Sequence, residues 1–213
     1  MDKTDILNYI RDSIVNLDFE KSKEFTKIAL ENKVDPQEII LKSIAEGMEI
    51  VGKKFEASEY FLSELIVAGE IGKEITQILQ PYLKGAEVKK IGKVVIGTVS
   101  GDLHDIGKNI VSMMLEASEF EVVDLGADVP VESFLEAVKR EKPQVVAMSA
   151  LLTVTMVEMK NVIEALKKTG LRDRVKVIIG GAAVTEEFAK SIGADGYGAN
   201  AVQGVRICKG WIT

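Results

Sequence analysis

The sequence predicts an all-α helical domain followed by an α/β domain with a parallel sheet. Two observations predict this fold class. Apolar residues recur at intervals of three and four through residues 1–83, which is the period of an amphipathic helix. From residue 93 onward, short β-branched runs alternate with helical patterns, as in a chain that builds one parallel sheet. The change of period indicates two domains, residues 1–83 and 93–213.

Four amphipathic helices are predicted in the first domain. Asp18 is a candidate N-cap for the second helix. Asp35 and Pro36 open the third, because Asp is favoured at the N-cap and Pro at the first helical position. The fourth is predicted to begin near Ser58 and to run to Pro81. Four such helices joined by short turns are typical of a four-helix bundle.

A polar, basic stretch with two glycines, residues 84–92, is the predicted linker. The alternation that follows implies right-handed crossovers and a doubly wound sheet with helices on both faces. Five strands are typical of a flavodoxin-like (Rossmann-like) domain, which binds ligands beyond the carboxyl ends of the strands, between strands 1 and 3. The predicted strands are residues 94–99, 120–125, 144–149, 175–180 and 195–198, and the predicted helices are 107–118, 131–140, 155–168, 184–191 and one after 200.

Composition excludes several classes of function. A net charge of -6 argues against nucleic acid, because phosphate contacts require clustered Lys and Arg. The single cysteine, Cys208, excludes an intrachain disulfide and suits a reducing compartment. The first residues are charged and lack the apolar core of a signal peptide, and no run of about 20 apolar residues suggests a bilayer span. A cytoplasmic protein with no membrane partner is expected.

Three unusual features fall at one edge of the predicted sheet. The segment GTVSGDLHDIGKN, residues 97–109, follows strand 1 and holds the only histidine, His104. Ser149 closes strand 3, and the pair Gly180-Gly181 closes strand 4. Because the carboxyl ends of parallel strands meet at one edge, these features are expected to lie together beside the ligand crevice.

The histidine loop has several interpretations. A phosphate-binding loop is rejected, since five residues separate Gly101 from Gly107 where that motif requires four. A turn merely shaped by glycines, a metal-dependent phosphohydrolase, a serine hydrolase and a receiver domain remain open, although the chain lacks a second histidine and a GxSxG motif. Another interpretation is an imidazole that donates one nitrogen to a ligand bringing its own metal. Asp102 would then bind the second nitrogen and fix the tautomer.

The spaced residues resemble a known signature. Asp102-Leu-His104-Asp-Ile-Gly107, Ser149-Ala-Leu151 and Gly180-Gly181 resemble the DxHxxG…SxL…GG signature of cobalamin-binding domains. Residues 46–65, EGMEIVGKKFEASEYFLSEL, resemble the helical cap module of cobalamin-dependent methionine synthase and of small corrinoid proteins in methyltransferase systems. The resemblance implies a cap domain over residues 1–83 and a cobalamin-binding domain over 93–213.

The resemblance also implies individual roles. His104 would be the lower axial ligand of cobalt, in the base-off, His-on state, and so the metal ligand. Asp102 would hydrogen-bond this imidazole, and Thr155 stands where methionine synthase has a serine that completes the relay. Phe61 and Leu65 would cover the upper face of the cofactor. The implied cofactor-binding residues are Glu46, Phe61, Leu65, Gly101, Asp102, Leu103, His104, Asp105, Ile106, Gly107, Ser149, Leu151, Thr153, Gly180, Gly181 and Ala201.

By the same resemblance the chain would be a methyl carrier, a subunit that is not catalytic alone. Its cobalamin would alternate between methylcobalamin and Co(I). A barrel-type substrate:corrinoid methyltransferase would supply the methyl group, and a corrinoid:acceptor methyltransferase would pass it to tetrahydrofolate or to a thiol such as coenzyme M. A reductive activation protein is a third implied partner, and the linker at 84–92 is the predicted hinge. A cobalamin-binding regulator or sensor and the small subunit of an adenosylcobalamin-dependent mutase are the alternatives, and the cap segment at 46–65 favours methyl transfer.

Overall fold

The computed structural model describes residues 2–83 and 90–212. The chain divides into two compact units, Met1–Lys89 with Ala117–Glu119, and Lys90–Glu116 with Phe120–Thr213. Most of the predicted linker, residues 84–92, lies outside the described residues. None of the described helices is long and apolar enough to cross a membrane.

The first unit is helical, as predicted. Asp18 caps the second helix by accepting a hydrogen bond from the Lys21 amide at 3.0 Å, and Asp35 caps the third by accepting one from the Gln37 amide at 3.0 Å. A π-helical turn, Ile40–Ala45, divides the predicted third helix into two α-helical parts. The elements are α1 (Lys3–Val15), α2 (Phe19–Glu31), α3 (Pro36–Ile39), α4 (Glu46–Glu56) and α5 (Leu62–Leu79), followed by a short 3₁₀ turn, Gln80–Leu83.

The predicted start of the fourth helix near Ser58 is wrong. Ser58 has φ 60°, a left-handed conformation that a right-handed helix does not contain. The helix α5 begins at Leu62 instead, and Phe61 is its N-cap. The Glu64 carboxylate accepts a hydrogen bond from the Phe61 amide at 2.9 Å, which satisfies one of the amides left unpaired at the start of the helix. Apolar periodicity alone could not place this boundary.

The second unit is an α/β domain. Its five strands form one parallel sheet in the order β2-β1-β3-β4-β5. This is the predicted doubly wound fold, so the fold class is confirmed, and the switch point lies between β1 and β3. The strands are β1 (Gly92–Thr98), β2 (Phe120–Asp124), β3 (Val145–Ser149), β4 (Lys176–Gly180) and β5 (Gly196–Gly198), and the helices are α6 (Ile106–Ala117), α7 (Val131–Glu141), α8 (Val157–Lys168), α9 (Glu186–Ile192) and α10 (Ala201–Ile212).

A large hydrophobic cluster of this domain lies on one face of the sheet. Strand residues such as Val95, Val146 and Val177 are fully buried in a cluster with side chains from α7, α8 and α9. Phe134 of α7 is the largest of them and is inaccessible to solvent. The helices α6 and α10 lie against the other face, where a cavity remains. The sheet therefore has one filled face and one partly open face.

Candidate cofactor site at the carboxyl edge of the sheet

The histidine loop begins with a tight turn at the end of β1. The Asp102 amide donates to the Val99 carbonyl at 3.2 Å, which closes the turn. Gly101 has φ +79°, and this left-handed value at the third residue is what a type II turn requires. The turn brings Asp102 beneath the loop, where its side chain is completely buried.

The Asp102 carboxylate is the centre of the site. One oxygen, Oδ1, accepts the His104 backbone amide at 3.0 Å and lies 2.8 Å from His104 Nδ1. The other, Oδ2, accepts the Thr155 hydroxyl at 2.7 Å and the amides of Leu151 at 2.8 Å and Leu152 at 3.3 Å. The structure therefore brings the three predicted members, Asp102, His104 and Thr155, into direct contact.

These contacts decide the charge of the buried carboxyl. Burial raises the pKa of Asp102, but the hydrogen bonds from Thr155, from His104 and from Leu151 outweigh it and hold the pKa well below the usual value. The group is therefore a carboxylate at neutral pH. Since a carboxylate only accepts hydrogen bonds, Nδ1 of His104 is the donor of the pair, and Nε2 is left as a basic nitrogen.

The imidazole is presented outward among apolar side chains. The His104 side chain is 52% exposed, although the Asp102 side chain that holds it is fully buried. Leu103 and Ile106 flank it in the chain and are 75% and 72% exposed. Val154 from the loop after β3 is 76% exposed. An exposed apolar surface of this kind around one polar group is typical of a binding surface.

A cavity of about 420 Å³ lies at the partly open face of the sheet, and the ends of β1, β3, β4 and β5 contribute to its wall. Of the predicted cofactor contacts, Gly107, Ser149, Gly180, Gly181 and Ala201 line it. Leu151 and Thr153, also among the implied cofactor-binding residues, do not line it. Leu151 instead contributes its backbone amide to Asp102.

The two glycines at the end of β4 are required because neighbouring backbone atoms leave no room for a side chain. A Cβ atom on Gly180 would lie 2.9 Å from the Gly198 carbonyl oxygen. Gly181 has φ +120°, and a Cβ there would overlap the backbone of Ala150. The resemblance implied that both residues bind the cofactor. The structure adds that the neighbouring strand and loop leave no room for a side chain.

Two other glycines are not required by close contact with neighbouring backbone. A Cβ on Gly107 of α6 or on Gly204 of α10 would meet no atom within 4 Å, and both residues line the cavity. Glycine within a helix is unfavourable by about 1 kcal/mol relative to alanine. Glycine at these two positions therefore leaves space in the cavity and is not required for the packing of the two helices.

No place in the site was predicted for Cys208 or Lys108. Cys208 lines the cavity, and burial raises the pKa of its thiol to about 12. The Lys108 side chain also lines the cavity and is only 1% exposed, and its ammonium group pairs with Asp124. The helical spacing of Ala201, Gly204 and Cys208 on α10, all small, is the signal that could have indicated a cavity wall.

The predicted contacts in the helical unit have varied surroundings. Phe61 exposes 67% of its surface, whereas Leu65 is 1% exposed. Glu46 lies 3.5 Å from the Lys42 ammonium in an exposed ion pair. Their role towards a cofactor stays a prediction.

Comparisons with known proteins agree with this arrangement. A family model described as a B12 binding domain matches residues 92–206, and a second with the same description matches residues 6–80. A fold of this class with this loop is thus a cobalamin-binding protein built of two family modules.

Individual relatives cover the whole length. The chain is 43% identical to trimethylamine corrinoid protein 1 of Methanosarcina acetivorans, over 93% of each chain. It is 41% identical to a cobalamin-binding protein from Desulfitobacterium hafniense DCB-2, with a TM-score of 0.84 over 97% and 98% of the two chains. It is 32% identical to a chain of the methanol:cobalamin methyltransferase complex MtaBC from Methanosarcina barkeri, with a TM-score of 0.86 over 98% and 80%. The protein belongs to the family of corrinoid proteins of methyltransferase systems.

Proposed function

We propose that this chain is a methyl-carrying corrinoid protein that holds cobalamin base-off, with Nε2 of His104 as the lower ligand of cobalt. The observation that carries the proposal is the Asp102–His104 pair. A buried carboxylate 2.8 Å from Nδ1 holds the ring so that Nε2 is the free basic nitrogen. Cobalamin supplies a cobalt centre that accepts and gives up a methyl group when it is bound.

The residues fit such a cofactor. The donor set is a single imidazole, and the part of the chain that the structure describes contains no group of three or more His, Cys, Asp or Glu side chains able to hold a metal ion. A corrin brings its own metal ligands with its ring, so the single imidazole of His104 would suffice as the ligand from the protein. The exposed apolar side chains around His104, including Leu103 and Ile106, suit a flat macrocycle, and the cavity of about 420 Å³ suits its displaced nucleotide tail.

The chain's own residues would control the ligand and its proton. Asp102 would keep the proton of His104 on Nδ1, which leaves Nε2 available as a ligand. The Asp102 carboxylate would hold the ring in this orientation whether or not Nε2 is bound to a metal. Thr155 and the Leu151 amide hold that carboxylate in place at 2.7 and 2.8 Å. Asp102 and Thr155 therefore form the proposed relay.

The partners are proposed on the same basis. A substrate:corrinoid methyltransferase of barrel type would load the methyl group, a corrinoid:acceptor methyltransferase would transfer it to tetrahydrofolate or to a thiol such as coenzyme M, and a reductive activation protein would restore Co(I). The names of two relatives, trimethylamine corrinoid protein 1 and dimethylamine corrinoid protein, support a methylated amine as the donor. Glu46, Phe61 and Leu65 are proposed cofactor contacts of the helical unit.

The test is reconstitution with hydroxocobalamin followed by spectroscopy. The wild-type protein should bind about one equivalent and show imidazole-ligated, base-off spectra. His104→Ala should lose the nitrogen signature, and Asp102→Asn should weaken it. Asp173→Asn, which removes a carboxylate from the 3₁₀ turn Arg172–Arg174, should match the wild type. An unchanged nitrogen signature in His104→Ala would contradict the proposal.

A second measurement separates methyl transfer from the regulator and mutase alternatives. The reduced, loaded protein is mixed with methyl iodide and then with a thiol and an acceptor methyltransferase. Uptake and release of the methyl group, followed by absorption, are expected of a carrier. Failure of the acceptor methyltransferase to remove the methyl group would favour the other two classes.

A further inference from the structure

We propose that Asp128, in the loop between β2 and α7, is a positioning residue for the histidine loop, and that its carboxylate favours ligation by His104. The inference rests on the proposed function and deepens it. Asp128 is not part of the motif that carries the family resemblance, and its side chain does not touch the imidazole.

The β2–α7 loop is fastened to the end of β1. The Thr98 amide donates to the Gly126 carbonyl at 3.0 Å, and the Val129 amide donates to the Thr98 carbonyl at 2.9 Å. Val99 and Val129 also form an isolated parallel bridge. The loop therefore runs beside the strand from which the histidine loop departs.

Asp128 extends this fastening into the histidine loop itself. Its Oδ1 accepts the Gly101 amide at 2.6 Å, and its own amide donates to the Asp102 carbonyl at 2.9 Å. A longer contact of 3.4 Å joins the same oxygen to the Ser100 hydroxyl. One residue thus binds the two peptide groups on either side of the Gly101–Asp102 peptide, through the Gly101 amide and the Asp102 carbonyl.

The backbone is arranged for this double contact. Asp128 has φ 53°, in the left-handed region that L-residues other than Asn and Asp rarely adopt. Gly101, its partner, has φ +79°. Asp128 therefore adopts an unfavourable backbone conformation where the two loops meet, whereas Gly101 adopts its positive φ without steric cost. The charge-assisted hydrogen bond between them offsets the cost at Asp128.

The consequence concerns the position of Asp102. Its carboxylate is held by Thr155 and by the amides of Leu151 and Leu152, all from the β3–α8 loop. Its main chain is held from the other side by Asp128. The His104 ring depends on the placement of Oδ1, so a change in the Asp102 backbone alters the direction of Nε2. Asp128 therefore acts through Asp102 and not on the cofactor.

The experiment compares three variants in cobalamin-loaded protein. Asp128→Gly removes the carboxylate and tolerates the positive φ, Asp128→Asn keeps an oxygen acceptor, and Ala127→Gly loosens the same loop while leaving Asp128 intact. The ratio of His-ligated to His-released cofactor is read from the absorption spectrum and from the nitrogen splitting in the electron paramagnetic resonance of Co(II). Hydrogen exchange of the Gly101 amide is measured in the cofactor-free protein.

Asp128→Gly is expected to lower the ligated-to-released ratio about tenfold, as the loss of a charge-assisted hydrogen bond implies, and to accelerate exchange at Gly101. Asp128→Asn should restore most of the ratio, and Ala127→Gly should leave it unchanged. An equal loss in Ala127→Gly would overturn the inference, because loop flexibility alone would then explain the effect. A failure of Asp128→Asn to restore the ratio would also overturn it, because the negative charge and not the hydrogen bond to the loop would then be the cause.

His104→Ala separates the inference from the function on which it rests. If His104→Ala loses the nitrogen splitting while Asp128→Gly retains the wild-type ratio, the positioning role is wrong and the methyl-carrier proposal stands. If His104→Ala also retains the splitting, the ligand assignment itself is wrong.

Discussion

The two faces of the five-stranded sheet are made by the same strands and are packed in opposite ways. On one face, Val146 and Val177 are fully buried against α7, α8 and α9. On the other, the adjacent residues Ala147 and Ile178 line a cavity of about 420 Å³ between the sheet, α6 and α10. Strand residues on one face thus contribute to a filled core, and several strand residues on the other face line an open space.

The difference shows which features of the fold serve stability and which serve binding. Protein interiors are packed as tightly as organic crystals, so an unfilled space of this size is unfavourable for the protein alone. The open face is kept by small residues, among them Ser149, Gly180 and Gly204. A ligand that fills the cavity would recover the missing contacts. Four predictions test this division, in order of expected effect.

The largest effect is expected on the filled face. Phe134→Ala removes a completely buried ring and should lower the free energy of unfolding by about 3–5 kcal/mol, because a cavity replaces close packing. Urea denaturation of the cofactor-free protein measures the change. The protein that remains folded should bind cobalamin as the wild type does. A loss below about 1 kcal/mol would show that this face is not tightly packed.

On the open face, a large side chain should affect binding and not folding. Gly204→Leu places a side chain where a Cβ meets no atom within 4 Å. Affinity for cobalamin is expected to fall about 100-fold, equivalent to about 2.7 kcal/mol, because the side chain competes with the nucleotide tail. Affinity for cobinamide, which lacks that tail, should not change. Titrations of both ligands measure the effect.

Gly210→Leu is the matched control for that experiment. Gly210 lies in the same helix, and a Cβ there also meets no atom within 4 Å, but the residue does not line the cavity. Its variant should bind both ligands normally. Equal losses for cobalamin and cobinamide in Gly204→Leu would argue against a tail site in this cavity.

The buried thiol of Cys208 predicts a loss of stability at alkaline pH, of intermediate size. The pKa of its buried thiol is raised to about 12, whereas an unfolded chain ionises near 8.5. Between these values the unfolded state releases a proton that the folded state keeps, so stability falls as the pH rises, by up to about 1.4 kcal/mol per pH unit. Cys208→Ala should lack this component. Unfolding free energies of both proteins at pH 8, 9 and 10 test it, and parallel curves would contradict the raised pKa.

The smallest effect is expected for two alanine variants of α10, which separate stability from binding. Gly204→Ala and Gly210→Ala should each raise the free energy of unfolding by about 1 kcal/mol, because alanine is the better helix former. Only Gly204→Ala should also weaken cobalamin binding, and by less than Gly204→Leu. Thermal unfolding and cobalamin titration of the pair provide the measurement. Identical binding by both alanine variants would mean that the tail leaves room for one methyl group.

Much of the second domain was predictable because its signals are local. The strand that contains Val145–Ser149 was expected at 144–149, and the helix Val131–Glu141 at 131–140. β-Branched runs and helical periodicity specify such elements directly. The start of α5 at Leu62 was missed because apolar periodicity continues through the turn before it. There the boundary is set by the left-handed Ser58 and by the Glu64 side chain.

Within the candidate site the same distinction holds. Asp102 and His104 are two residues apart in one loop, so their pairing was expected from the sequence. Thr155 lies 53 residues from Asp102 and was predicted only through the family resemblance. The contributions of Cys208, Lys108 and Asp128 were not anticipated. Each depends on a neighbour from another part of the chain.

By itself, the sequence determined the order of helices and strands, the single imidazole and the carboxylate beside it, because these follow from residue type and spacing along the chain. Tertiary structure decided that Asp102 is buried and ionised, that Asp128 fastens the loop and that α10 leaves a space beside Gly204. Burial, hydrogen-bond partners and unfilled volume are properties of segments brought together from distant positions. They arise only when the sheet and its helices assemble.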